Sequence, residues 1–85
     1  MSYKYIATAV VTAVKPSAGK LKAIVLGETA AGEITVYDHA SAASGDVVAK
    51  LKSNIVEGTY IFDVDCKRGI VVECVAASKL TVIYE

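Results

Sequence analysis

Gly58-Thr59-Tyr60-Ile61-Phe62-Asp63-Val64-Asp65-Cys66-Lys67-Arg68-Gly69-Ile70-Val71-Val72-Glu73-Cys74 is the stretch whose pattern decides the fold. Tyr60, Phe62, Val64 and Cys66 share one parity, and Asp63 and Asp65 hold the other. Successive side chains of a strand point to opposite faces, so this alternation describes a half-buried strand. Lys67-Arg68-Gly69 supplies a tight turn. Alternation then resumes, with Ile70, Val72 and Cys74 inward and Glu73 outward.

The same pattern extends to both sides and predicts seven short strands, at 3–14, 20–26, 33–38, 46–51, 59–65, 70–75 and 79–84. Turn chemistry separates them: Lys15-Pro16-Ser17-Ala18-Gly19, Glu28-Thr29-Ala30-Ala31-Gly32, the small-residue loop 40–45, and Ala76-Ala77-Ser78. Alanine is dense over 40–52. Ser41, Ser44, Gly45 and the pair Val47-Val48 oppose a stable helix there, leaving room for a single helical turn. Strands at this spacing indicate an all-β chain, a compact antiparallel β-sandwich or jelly-roll-like barrel of about seven strands. Eighty-five residues make one domain, 1–85. Parity places Tyr3, Tyr5, Ala7, Ala9, Val11, Leu21, Ala23, Val25, Ile34, Val36, Val47, Ala49, Leu51, Leu80, Val82 and Tyr84 inside with the four residues of 60–66 and the three of 70–74.

Composition narrows the function. The formal net charge is zero and the nine Lys and Arg never form a run, which excludes the basic footprint of nucleic-acid binding. No apolar run approaches the roughly 20 residues of a membrane helix. The first residues lack a signal peptide's layout, so the chain reads as made and kept in a cytosol. Cys66 and Cys74 read as buried free thiols. With the turn at Lys67-Arg68 they would lie roughly 13 Å apart, and a disulfide needs Cα atoms within about 7 Å. Yet 54% of the residues are apolar, more than a small core requires, so part of that surface is expected to meet a partner. Ile61, Val71, Val75 and Ile83 fall on the outward parity of the last three strands. They are read as an oligomer interface, against the alternative that a second sheet covers them.

No constellation of residues carries catalysis or a cofactor. His39, the single histidine, follows Asp38 and has no nucleophile beside it, and one histidine makes no zinc site. It reads as a loop residue. Asp63 and Asp65, with Asp38 or Glu73, offer carboxylates to calcium, but no Asx-rich loop supports them and a solvated face accounts for them. Gly19, Gly32, Gly45, Gly58 and Gly69 precede strands and form no phosphate loop. Of the five tyrosines, Tyr37 alone points outward, too few for a sugar platform.

The glycine-led strands 19–26, 32–38 and 58–64, the segment Ile34-Thr35-Val36-Tyr37-Asp38 with its small-residue loop, and the closing 69–72 and 80–84 resemble the small β proteins encoded beside head genes of tailed bacteriophages. These are capsid cement or decoration proteins and head-fibre bases. The resemblance covers most of the chain. It implies a non-enzymatic virion protein on the capsid surface, made in the host cytoplasm, binding the major capsid protein and itself. A trimer is favoured over a dimer, with no cofactor, nucleic acid or membrane partner. A carbohydrate-binding or adhesin-like module is the alternative, and a small hydrolase a distant third.

Overall fold

The computed structural model describes residues 2–28 and 32–85. They form eight strands: β1 (Ser2–Ile6), β2 (Val11–Lys15), β3 (Gly19–Glu28), β4 (Ile34–Asp38), β5 (Asp46–Leu51), β6 (Gly58–Cys66), β7 (Ile70–Cys74) and β8 (Lys79–Tyr84). No helix occurs among the described residues. The centre of the predicted turn at 28–32 lies outside them.

The strands build two four-stranded antiparallel sheets, ordered β1-β8-β3-β6 and β2-β7-β4-β5. Only β4 and β5 are sequential neighbours within a sheet, and every other connection crosses between sheets. That order is a jelly roll. The sheets stay separate, so the expected barrel does not close. The expected first strand is two strands: the chain leaves one sheet after Ile6 and enters the other at Val11, whose predecessor Val10 accepts the amide of Cys74.

The core lies between the sheets. Leu21, Ile24, Leu26, Leu80 and Val82 face Ile34, Val36, Leu51, Ile70 and Val72. Burial of these branched side chains is the main favourable term. Much of the predicted inner set holds, including Cys66 and Cys74; Tyr60, Phe62 and Tyr84 are half-buried against the core. Four strands differ, for identifiable reasons. In β2, which the chain enters only after changing sheets, Val14 is buried and the expected Val11 is 44% exposed. The β3 register shifts between Leu21 and Ala23 against both neighbours. This bulge turns Ile24 and Leu26 inward, where strict alternation predicted Ala23 and Val25. A shift beside Tyr37 makes Val48 the residue that packs on the core, while Val47 stands 56% exposed. In β1, Ile6 points inward and Tyr3 and Tyr5 outward.

One polar anchor ties the end of β4 to the β6–β7 turn. Asp38, at the end of β4, accepts backbone N–H bonds from Lys67 (3.1 Å), Arg68 (2.7 Å) and Gly69 (3.4 Å). These bonds, the Arg68 amide foremost, hold its carboxyl below the usual carboxylate range. A carboxylate with a depressed folded pKa stabilises the fold above its unfolded value, near 3.8, and loses that contribution as pH falls through the folded value. Asp38→Asn is therefore expected to lower the thermal midpoint at pH 7 and to narrow its gap from the wild type as pH drops from 4 toward 2. A constant gap across that range would show that the three amides do not depend on the charge.

The two thiols are buried and free. They close strands of different sheets, not the two arms of a hairpin. Burial pushes both upward, Cys74 to about 11. The thiolate is the reactive species, so neither cysteine should label with a thiol reagent at pH 8 in native buffer, and both should label in denaturant. Rapid native labelling would contradict the packing.

Candidate interaction face

The outer face of β1-β8-β3-β6 carries the largest set of exposed apolar side chains. Opposed residues of antiparallel strands share a face. Register therefore sets two rows across the sheet, Tyr3–Ile83–Ala23–Ile61 and Tyr5–Thr81–Val25–Thr59. Tyr3 is 74% exposed and Ile61 76%. Ile83 and Val25 are half-buried, and Ala23 is buried between Ile61 and Ile83. The β3 bulge creates this band, because it sends Ala23 and Val25 outward.

Ion pairs frame the band at both ends. At one end Lys22 reaches Asp63 (2.8 Å) and Glu85 (3.3 Å), and Lys20 stands 4.0 Å from Asp65. The hydrogen bonds to Asp63 and Glu85 raise Lys22, and Lys22 in turn lowers Asp63. At the other end Lys79 pairs with Glu28 at 3.3 Å. These exposed pairs contribute little to stability. Their effect is to leave each end nearly charge-neutral around an apolar centre. Beside the Glu28–Lys79 pair, an open depression of about 250 Å³ is lined by Tyr5, Val25, Gly27, Glu28, Lys79, Leu80 and Thr81.

The four residues expected to form one interface separate. The last three strands are not a meander: β6 and β8 lie in one sheet and β7 in the other. Ile61 and Ile83 flank Ala23 on the face just described. Val71 is fully buried in the second sheet, opposite Ala13 and Tyr37. Val75 is exposed but lies beyond β7, its amide bonded to the Glu33 carbonyl. Sequence reading missed Tyr3 and Tyr5. Alternation put them inside with Ala7, Ala9 and Val11, which leaves Lys4 on the outward parity. At a sheet edge, however, a lysine of inward parity still reaches water.

The polar candidates each have partners within the fold. His39 Nδ1 accepts the backbone amides of Ser41 (3.1 Å) and Ala42 (3.0 Å), which orders the β4–β5 connection. Asp63 and Asp65 meet lysines, Asp38 meets the 67–69 turn, and Glu73 lies in the other sheet, where it accepts from the Tyr37 hydroxyl. Among the described residues no three His, Cys, Asp or Glu side chains gather to hold a metal ion. No protein-family model, curated protein or solved structure matches the chain.

Proposed function

We propose that the protein is a virion structural component, a capsid cement or decoration protein that self-associates and binds the outer capsid surface. The observation that carries this reading is the apolar band Tyr3, Ile83, Val25 and Ile61, framed by ion pairs. A face of four strands spans roughly 19 Å across at the usual strand separation. Such a patch is smaller than a stable two-protein interface normally buries. Single contacts are then weak, and strength comes from repetition over a shell, where linked weak contacts add avidity. The jelly-roll order agrees with this reading as a fold-level analogy, which carries no function by itself.

The test is co-sedimentation with capsids assembled from a major capsid protein encoded beside this chain, if its neighbouring genes include one; their lacking one would already count against the reading. The wild type should pellet with them at fixed stoichiometry, and Ile61→Lys/Ile83→Lys should remain in the supernatant. Equal pelleting of both would move the contact elsewhere; pelleting of neither would remove the capsid reading.

A second reading rests on the depression beside Tyr5. An exposed ring, the Thr81 hydroxyl and the Glu28–Lys79 pair converge there, the kind of surface that holds one sugar ring. Saturation-transfer NMR with monosaccharides, lost in Tyr5→Ala, would favour the carbohydrate-binding module.

A further inference from the structure

We propose that β6 pairs antiparallel with β6 of a second copy over residues 58–62, with Tyr60 opposite Tyr60 of the second copy. The four edge strands are β1 and β6 in one sheet and β2 and β5 in the other. An open edge is a template for another strand unless something blocks it. In β1, Lys4 takes the inward parity of Val82. β2 is bulged between Ala13 and Lys15. β5 has an irregular register and carries Asp46 and Lys50. The first half of β6 has no such guard. Gly58-Thr59-Tyr60-Ile61-Phe62 contains no charge and no proline, and four of its five residues are strong strand formers. Its inward side chains, Tyr60 and Phe62, pack on the core yet stay half-exposed at the rim of the sandwich. The guard comes only after Phe62, where Asp63 adopts a left-handed φ of 53° that breaks the strand line.

The register follows from three constraints. Opposed residues must share a face, so a two-fold pairing centres on a residue. Centring on Ile61 or Phe62 draws the left-handed Asp63 into the ladder, and centring on Asp63 sets two carboxylates against each other. Centring on Tyr60 ends the ladder at Phe62 in both copies. It also sets Phe62 opposite Gly58 of the second copy, where a side chain added at Gly58 would meet nothing within 4 Å. An aromatic ring laid over an edge glycine is a known stabiliser of strand pairs. The strand's own large residue lies four positions from its own glycine, so it complements itself when turned about Tyr60. That self-fit selects a second copy over an unrelated strand. The contact is two-fold, it joins sheets edge to edge, and it does not depend on the outer-face reading.

Single-cysteine scanning tests it. Thr59→Cys, Tyr60→Cys, Ile61→Cys and Phe62→Cys are each oxidised in native buffer, the native thiols being buried. Tyr60→Cys should give covalent dimer by itself. Thr59→Cys and Ile61→Cys should cross-link when mixed and little when alone. Both positions are exposed, so this arm holds if loss of the Tyr60 hydroxyl's bond to the Val56 carbonyl unfolds the other variant. Adding Ile83→Lys should leave these cross-links in place, separating this contact from the outer face. Strongest self-cross-linking at Ile61→Cys or Phe62→Cys would overturn the register. No cross-link at any position, with a wild type that sediments as a monomer, would overturn the pairing.

Discussion

Gly69→Ala is expected to cost about 3 kcal/mol or more, at the upper end for overpacking. A chain of 85 residues has roughly 4–13 kcal/mol of total stability, so the variant would be marginal at 37 °C. The reason is local and steric. A Cβ on Gly69 would stand 2.5 Å from the Lys15 carbonyl oxygen, 2.6 Å from that of His39 and 3.0 Å from the Ala40 Cα. All three are backbone atoms, held by β2 and by the β4–β5 connection, and none can swing aside as a side chain would. The Gly69 amide also donates to the buried Asp38, so displacement would disturb the anchor of the β6–β7 turn. Urea unfolding followed by circular dichroism gives the number. A loss below about 1 kcal/mol would mean that this corner of the roll can open without cost.

Ile24→Ala should cost about 2–5 kcal/mol, the usual range for truncating a fully buried branched side chain. Val25→Ala, one residue on and across the sheet, should cost about 1 kcal/mol, because its half-buried side chain loses less covered area. The pair tests the β3 bulge. Unbroken alternation from Leu21 reverses the ranking and makes Val25 the core residue. Equal losses would place neither residue as described, and a larger loss at Val25 would put the bulge elsewhere.

The β3 bulge also marks the limit of what the chain's pattern discloses. Alternation and turn residues located nearly every strand, because glycines, small-residue loops and the Lys67-Arg68-Gly69 turn punctuate the chain plainly. Parity then failed on one side of an inserted residue, after Lys22 and before Val48, because a one-residue slip exchanges the faces of the side chains beyond it. Nothing in Lys22 or Val48 announces an irregular ladder. The sheet assignment failed for a different reason. Asp65-Cys66-Lys67-Arg68-Gly69-Ile70 reads as a hairpin, yet the chain crosses from one sheet to the other there, stapled by Asp38 from 29 or more residues upstream. A contact of that separation leaves no local trace. Ile61 and Ile83 nevertheless kept their outward place. Tyr3 and Tyr5, which complete the same band, were hidden by the edge position of Lys4.

Sedimentation velocity across a concentration series tests the outer face of β1-β8-β3-β6 most directly. The wild type should grow beyond two copies as concentration rises. Ile61→Lys/Ile83→Lys should stay folded by circular dichroism and stop at two copies or fewer, since any packing of that face would bury two unpaired ammonium groups. A double variant that keeps the wild-type size distribution would contradict the face as the contact surface.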